Sequence, residues 1–333
     1  MVPMIVPPAL PGHEPGVYLR LVFHTPFAMS TAYISHPECR LHDMGHQHPE
    51  SPSRLGAIGD RLLSAHLFDH LSYYEAPLVH RAQLARVHDC AYIDAVEAAS
   101  PTEGLVDLDD DTAMNPHSLE AAYRAAGAGV MAVDRVLHGE VKSAFVACRP
   151  PGHHALRQRA MGFCIFNNVA VAAAHALEAH GLARVAIVDF DVHHGNGTED
   201  IFKDDPRVML CSTFQHPFYP YCGADTESDH IVNVPLPAGT TGKRYREAFA
   251  ERILPRLAAF KPDMLFFSAG FDGHREDDMG QFGLVEADYV WITEQSMAAA
   301  GTRDRAVSLL EGGYDLSSLG RSVAEHIRAL AGL

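Results

Sequence analysis

The stretch from Val185 to Asp200, VAIVDFDVHHGNGTED, begins as a short apolar run and then becomes polar. Its apolar, β-branched part is typical of a strand that is buried on both faces of a parallel sheet. Because alternate side chains of an extended segment share a face, we expect Asp189, Asp191 and His193 to point in one direction. Ligands of open α/β sheets bind at the carboxyl ends of the strands. The stretch therefore predicts a ligand site, and a solvated loop after a core strand is the alternative.

The same pattern recurs along the chain, where apolar runs break into glycine and polar residues at their carboxyl ends. These runs cover RVMLCSTF, Ser143 to Cys148, Met264 to Phe267 and Val307 to Leu310. Such runs, alternating with helical segments, predict an α/β fold with one doubly wound, mostly parallel sheet flanked by helices, and an active site at the carboxyl ends of its strands. No internal repeat or change in composition divides the chain. We therefore expect a single domain over residues 17–333, starting with a strand from Val17 to His24, after a proline-rich segment at residues 1–16.

Several other segments have a predicted structure. The spacing predicts helices over Leu84 to Ala99 and over Ser118 to Leu137, with Ser118 as a candidate cap. The acidic run Asp109 to Asp111 is either a solvated turn, which we favour, or a rim that orients a cationic substrate. Arg54 either makes a surface salt bridge or lines an internal channel. A proline-rich loop before it carries four histidines whose spacing does not favour a second metal site: His36, His42, His46 and His48.

The composition limits the classes of partner. The chain has 26 Lys and Arg residues against 42 Asp and Glu residues, which gives a formal net charge of -16. This balance disfavours binding to nucleic acid and is compatible with a cationic ligand. The six cysteines form no Cys-x-x-Cys pair, and no stretch approaches ~20 uninterrupted apolar residues. We therefore expect reduced thiols, a cytoplasmic location and no membrane or nucleic-acid partner, and the sequence is compatible with a homo-oligomer.

Side chains at two strand ends could form a catalytic zinc site. A catalytic zinc usually has three protein ligands and one open position, and Asp191, His193 and Asp272 supply such a set. This carboxylate-rich set would also accept iron or cobalt. A bound metal acidifies water and polarises a carbonyl, as the hydrolysis of an amide requires.

A second group of polar residues could transfer protons beside this metal. His153 and His154 follow a Pro-Pro-Gly turn after a buried strand, and either could act as general base and acid, although a structural contact near the turn is the alternative for each. Asp189 and Asn196 are candidates to orient these two histidines. Tyr314 follows a Gly-Gly turn and could donate its hydroxyl to the developing oxyanion.

Five motifs in this order resemble those of the zinc-dependent histone deacetylase family, including its bacterial members and the related acetylpolyamine amidohydrolases. They are RPPGHHA, GFCIFNN, DFDVHHGNGTEDIF, SAGFDGHREDDMG and LEGGYD. The resemblance extends from His36, through HPESPSRL, to Asp315. It implies an arginase-like α/β fold and hydrolysis of the acyl amide of a long aliphatic amine, with acetyl-lysine or an acetylated polyamine as the substrate.

The resemblance also implies roles for individual residues. Asp191, His193 and Asp272 bind zinc, His154 acts as general base and acid with the help of His153, and Tyr314 binds the oxyanion. The substrate lies in a narrow tunnel whose residues are Gly162, Phe163, Met279, Gly312 and either Phe218 or Tyr219. Two potassium ions are implied, the first at Asp189, Asp191, His193, Ser212 and Thr213 and the second at Phe202, Asp205 and Val208.

Three positions refine the resemblance. Asn196 stands where class I relatives have an aspartate, so the chain is more similar to class II, and Tyr314 stands where some poorly active relatives have a histidine. Met279 stands where a polyamine-selective relative has a glutamate, which favours acyl-lysine or another substrate with a single positive charge. The segments FYPYCG and ADTESD instead resemble those of acetylpolyamine amidohydrolases. The remaining alternatives are a binuclear ureohydrolase and a catalytically silent acyl-lysine binding protein.

Overall fold

The computed structural model describes residues 30–226 and 228–333, so the proline-rich segment and the strand expected at Val17 to His24 lie outside the described residues. The strands are β1 (Thr31–Ser35), β2 (Leu71–Glu75), β3 (Val106–Asp107), β4 (Ala113–Met114), β5 (Ser143–Val146), β6 (Val185–Asp189), β7 (Val208–Gln215), β8 (Ile231–Leu236), β9 (Met264–Ala269) and β10 (Ala306–Leu310). The helices are α1 (Ser53–Ser64), α2 (Arg81–Leu84), α3 (Cys90–Ala99), α4 (Ser118–Leu137), α5 (Asn168–Glu178), α6 (Asn196–Phe202), α7 (Gly242–Arg252), α8 (Leu254–Phe260), α9 (Glu286–Ala300) and α10 (Leu316–Ala331), and short 3-10 helices cover Pro37–Arg40 and Phe68–His70.

Eight strands form one sheet in the order β2-β1-β5-β10-β9-β6-β7-β8. Every neighbouring pair in it is parallel, while β3 and β4 form a separate antiparallel hairpin. Helices flank the sheet. The predicted doubly wound α/β fold is therefore confirmed.

The central strands are buried along their whole length. Every residue of β5, β6, β9 and β10 is buried, which explains why these strands have continuous apolar runs instead of alternating ones. Small residues bring α4 close to its neighbours: a Cβ atom at Gly129 would lie 3.1 Å from Ala172 Cβ of α5 and equally close to Leu309 of β10. The central strands thus form a rigid platform for the loops at their carboxyl ends.

Two details of the predicted helices are wrong. The helix expected over Leu84 to Ala99 is interrupted, because Asp89 N donates to Arg157 O at 3.0 Å instead of continuing the helical ladder, and α3 begins only at Cys90. Ser118 is the first residue of α4 and not its cap. Its hydroxyl accepts from Asn115 N at 2.9 Å and lies 2.6 Å from His42 Nδ1.

The topology places three loops side by side. Because β10, β9 and β6 are adjacent and parallel, the segments that follow them leave the same edge of the sheet. Across residues 30–226 and 228–333, no helix is both long enough and apolar enough to span a bilayer.

Candidate active site

Three side chains from the segments after β6 and β9 converge at this edge. His193 Nδ1 lies 3.1 Å from Asp191 Oδ1 and 3.2 Å from Asp272 Oδ2. All three residues are buried, and their potential ligand atoms lie within 4.8 Å of one another. The structure thus brings together the residues that the sequence predicts as zinc ligands.

Backbone amides orient the two carboxylates. Asp191 Oδ1 accepts from His193 N at 2.9 Å, and its Oδ2 accepts from Gly312 N at 2.8 Å. Asp272 Oδ1 accepts from Val192 N at 2.9 Å. A Cβ atom at Gly312 would overlap both carboxylates, so the segment after β10 can approach them this closely only because it has a glycine there.

Burial and mutual charge determine the protonation of these groups. Burial raises the pKa of Asp272, and the neighbouring Asp191 carboxylate raises it further, to about 7. Burial lowers the pKa of His193, but hydrogen bonds to Asp191 and Asp272 outweigh burial and raise this pKa to about 10. Zinc binds ionised carboxylates and neutral imidazole, so zinc binding to this set would release protons.

The two adjacent histidines lie beside this cluster, with ring centroids 4.0 Å apart. His153 Nδ1 lies 3.0 Å from Asp189 Oδ2, and His154 Nδ1 lies 2.7 Å from Asn196 Oδ1. The Asn196 Nδ2 amide lies 3.3 Å from Met161 Sδ, which directs Oδ1 toward His154. Each histidine therefore contacts the orienting partner that the sequence suggests for it.

The two histidines differ in charge although they are neighbours. Burial, together with the cations of His153 and His193, holds the pKa of His154 well below its usual value. Burial also lowers the pKa of His153, but Asp191 and Asp189 outweigh it and raise this pKa to about 10. At neutral pH, His153 is therefore cationic and His154 is neutral, which suits His154 to accept a proton.

Glu311 supports the histidine turn and is a residue that the sequence reasoning missed. Its Oε2 accepts from Gly152 N at 2.6 Å and His153 N at 3.1 Å, and its Oε1 accepts from Ser268 Oγ at 3.1 Å. Burial raises the pKa of Glu311 to about 7. Its position at the end of an apolar strand was the signal that could have identified it.

An aromatic cavity of about 360 Å³ adjoins His154 and His193. Phe163 and Tyr314 meet edge to face across it, with ring centroids 6.0 Å apart. The sequence left open whether Phe218 or Tyr219 lines the tunnel, and both line this cavity. Phe218 stacks on His193 with centroids 5.4 Å apart, while Tyr219 meets His154 edge to face at 5.3 Å.

The acidic turn between β3 and β4 supports one wall of the cavity. Asp111 Oδ1 accepts from Gly162 N at 2.9 Å, and Thr112 Oγ1 accepts from Phe163 N at 3.0 Å. A Cβ atom at Gly162 would overlap the His154 ring. The turn is the conformation that the sequence favours. Asp111 also lines the cavity, and a role of this run in orienting a cationic substrate stays a prediction.

Asp277 connects the cavity residues Met279 and Tyr314. The sequence reasoning did not identify this residue either. Its Oδ1 accepts from Met279 N at 2.9 Å, and its Oδ2 accepts from Tyr314 N at 2.6 Å. Burial raises the pKa of Tyr314 well above its usual value, so its hydroxyl remains a hydrogen-bond donor. Asp278, next to Met279, is exposed and lines the same cavity.

Arg54 makes no surface salt bridge, and its possible role in lining an internal channel stays a prediction. It is fully buried, its Nη1 lies 2.9 Å from Glu50 Oε1, and its guanidinium carbon lies 5.0 Å from the centre of the Tyr314 ring. Glu50 also accepts from Arg149, whose Nη2 lies 2.6 Å from Oε2. Arg54 donates in addition to Gly313 O at 2.6 Å, so a buried ion network supports the Tyr314 turn.

The residues that the resemblance implies as potassium ligands lie at the end of β6 and just after it, at the end of α6 and just after it, and in β7. Ser212 lies opposite Asp189 in the sheet register, and Thr213 Oγ1 contacts the hydroxyl of Tyr245. In the second set, Phe202 O accepts from Asp205 N at 2.9 Å, and Asp205 O accepts from Val208 N at 3.1 Å.

Three of the four histidines of the proline-rich loop make separate contacts. His36 accepts from Glu38 N at 3.2 Å, His42 contacts Ser118, and His48 meets Phe163 edge to face at 4.7 Å. None of them belongs to a group of potential metal ligands in the part of the chain that the structure describes.

Comparison with known proteins agrees with this geometry. Residues 48–330 match the model of the histone deacetylase domain. An uncharacterised protein of Synechocystis, slr0245, is 40% identical over 90% of this chain and 99% of its own length, and human polyamine deacetylase HDAC10 is 35% identical over 94% of this chain and 48% of its own length. The crystal structure of the HDA15 HD domain superposes with a TM-score of 0.86 at 36% identity, covering 92% of this chain and 89% of that one. Both the sequence match and the shared fold include the strand ends that carry the site, and on this evidence the chain belongs to the histone deacetylase family.

Proposed function

We propose that this protein is a zinc-dependent deacetylase that hydrolyses the acyl amide of a long aliphatic amine, releasing acetate and the free amine. One observation carries the proposal: Asp191, His193 and Asp272 converge beside the His153 and His154 pair at an aromatic cavity. Two carboxylates and one imidazole are a donor set that suits catalytic zinc. The chemistry that bound zinc supplies is acidification of a water molecule and polarisation of the acyl carbonyl.

His154 is the proposed general base and acid. Asn196 Oδ1 can only accept, so His154 Nδ1 carries the proton of the neutral ring and Nε2 is free to accept one. It takes a proton from the attacking water and returns it to the leaving amine. His153 remains cationic beside Asp189 and stabilises the developing negative charge.

Tyr314 is the proposed donor to the oxyanion. Its hydroxyl is protonated because burial raises its pKa, and its ring is held over the guanidinium of Arg54. A donor that is fixed before the reaction strengthens as charge develops on the acyl oxygen. The aromatic rings of Phe163, Phe218 and Tyr219 would exclude water from an aliphatic stem, and residues Gly162, Met279 and Gly312 complete the proposed substrate site.

We further propose two potassium sites. Ser212 Oγ is buried and has no hydrogen-bond partner among the described residues, and Ser212 is paired with Asp189 in the sheet register. A buried hydroxyl oxygen without a partner is a suitable ligand for a hard cation. The first site would consist of Asp189, Asp191, His193, Ser212 and Thr213. The second would consist of Phe202, Asp205 and Val208.

The substrate has two candidates. Acetyl-lysine is favoured by Met279, a neutral residue at the cavity. An acetylated polyamine is favoured by the 35% identity to polyamine deacetylase HDAC10 and by the acidic side chains Asp111 and Asp278 that line the same cavity, because carboxylates stabilise a distant ammonium group.

The deciding experiment compares kcat/KM for an acetyl-lysine peptide and for an acetylated polyamine, with zinc-loaded protein in one buffer. A peptide preference above about tenfold, or ~1.4 kcal/mol, supports acyl-lysine as the substrate, and the reverse preference supports the polyamine. Asp272→Asn, which removes one proposed ligand, is the inactive control. If neither substrate is hydrolysed, or if saturating hydroxamate, a zinc chelator that mimics the amide, leaves the activity unchanged, the proposed function is wrong.

A further inference from the structure

A second group of potential metal ligands lies far from the cavity, where α4 and α5 end. Asp134 is in the last turn of α4, His175 is in the last turn of α5, and His180 follows α5. Asp134 Oδ1 lies 2.8 Å from His175 Nε2 and 2.7 Å from His180 Nε2. Two imidazoles therefore meet at one carboxylate oxygen.

The chemistry of this cluster matches that of a zinc site. The ligand atoms of Asp134, His175 and His180 lie within 4.8 Å of one another, as they do in the cluster of Asp191, His193 and Asp272, and both sets combine imidazole with carboxylate. A site with two imidazole nitrogens and one carboxylate favours zinc and similar transition ions over Mg²⁺ and Ca²⁺, which prefer oxygen ligands alone.

A fourth potential metal ligand lies beside this cluster. The exposed His138, which follows α4, has its ring centroid 5.7 Å from that of His180. A structural zinc site has four protein ligands, and His138 is the histidine beside the cluster that could supply the fourth. The Asp134 side chain is 39% exposed and that of His180 is 19% exposed, so an ion has direct access from solvent.

We propose that Asp134, His175 and His180, with His138 as the fourth ligand, bind a second zinc ion. The site is separate from the candidate active site, because α4 leads into β5 and α5 leads into β6. The ends of these helices therefore lie at the amino ends of the strands, on the edge of the sheet opposite the cavity. An ion there cross-links α4 to α5, which pack against each other, and has a structural role.

Arg86 competes with this ion for His175. Its Nη1 lies 3.0 Å from His175 Nδ1, and since a guanidinium can only donate, Nδ1 accepts and the ring proton is on Nε2. Zinc bound at Nε2 would move that proton to Nδ1, so Arg86 has to turn away. The neighbouring groove, which Arg86 lines together with Glu178 and Asp200, provides space and carboxylates for it.

The test counts zinc ions per chain in protein without a histidine tag, after excess metal has been removed. We expect two ions in the unmodified chain and one in His180→Gln and in Asp134→Asn, with unchanged deacetylase turnover in both variants. His70→Gln, which changes an exposed histidine outside the cluster, should keep two ions. Circular dichroism identifies any variant that fails to fold, and the second variant then decides.

Affinity and stability provide independent readouts. Arg86→Met should lower the Kd of the second zinc ion by about tenfold, because it removes the competing donor, and added zinc should raise the Tm of the unmodified chain more than that of His180→Gln. The same zinc count in both cluster variants as in the unmodified chain would overturn the proposal, and a Kd that does not fall in Arg86→Met would exclude Nε2 of His175 as the ligand. Because the test counts ions, it remains decisive even if the chain lacks deacetylase activity.

Discussion

Replacing Asn196 with aspartate should change the pH profile of hydrolysis without removing the base. Asn196 Oδ1 lies 2.7 Å from His154 Nδ1, so the new carboxylate would be in contact with the imidazole. Asn196 is only partly buried, and an aspartate there keeps its charge. An opposite charge this close favours the protonated ring and raises the pKa of His154 by about 1 to 3, which corresponds to about 1.4 to 4 kcal/mol.

A base is active only when it is deprotonated, so a higher pKa of His154 removes activity on the acidic side. In the unmodified protein burial and the neighbouring His153 cation hold this pKa well below its usual value. We expect the acid limb of kcat/KM in Asn196→Asp to lie at a pH at least about 1 higher, with little change above pH 8.

The assay is kcat/KM from pH 5 to 9 at saturating zinc, with the zinc content measured at each pH. Asn196→Ala is the control, because it removes the hydrogen bond without adding charge and should lower the rate without moving the acid limb. Superimposable acid limbs for the unmodified protein and Asn196→Asp would refute His154 as the base.

Three further predictions concern the Tyr314 turn, the ion network below it and the core. Tyr314→Phe should lower kcat by about 10² to 10³ with an unchanged zinc content; equal loss of metal would contradict an oxyanion role. Glu50→Gln should lower the free energy of unfolding in urea by about 3 to 5 kcal/mol, since it leaves the buried Arg54 and Arg149 uncompensated; a loss below about 1 kcal/mol would show that the network contributes little. Burial lowers the pKa of His326 to about 3, so its contribution to stability is present above the unfolded pKa of about 6.5 and is lost as the pH falls toward 3. His326→Gln should therefore reduce the stability lost between pH 8 and pH 5 by about 2 kcal/mol in urea unfolding, and an unchanged loss would contradict a neutral buried ring.

Local sequence patterns were sufficient to predict the sheet. Continuous apolar runs predict buried parallel strands, and alternation along an extended chain predicts that Asp189, Asp191 and His193 share a face. In the structure β6 ends at Asp189 and residues 191–193 form a bend, but His193 Nδ1 still lies 3.1 Å from Asp191 Oδ1. Neighbouring strand ends then bring Asp272 close. The resemblance to a known family supplied the tunnel residues, which composition and spacing do not identify.

Contacts between distant segments could not be predicted in this way. Glu50 and Arg149 are 99 positions apart, and Glu311 contacts Gly152 across 159 positions, so nothing in the local sequence of either partner marks the contact. The same holds for His326, whose ring lies among phenylalanines of three strands or strand ends. The interrupted helix after Leu84 has a similar cause, because a tertiary hydrogen bond of Asp89 overrides its helical periodicity.

The position of β10 has a consequence for synthesis of the chain. Among the described strands, β10 is the last in sequence, yet it lies between β5 and β9 in the middle of the sheet. A growing chain that lacks β10 has two separate parts of the sheet, β2-β1-β5 and β9-β6-β7-β8, with unpaired edges at β5 and β9. It also lacks Gly312 and Tyr314. Such a chain has an incomplete candidate site and exposes unpaired strand edges that favour aggregation. The pairing of β10 with β5 and β9 therefore joins the two halves of the sheet and completes the candidate site in one late step, and pairing between strands this distant in sequence is slow.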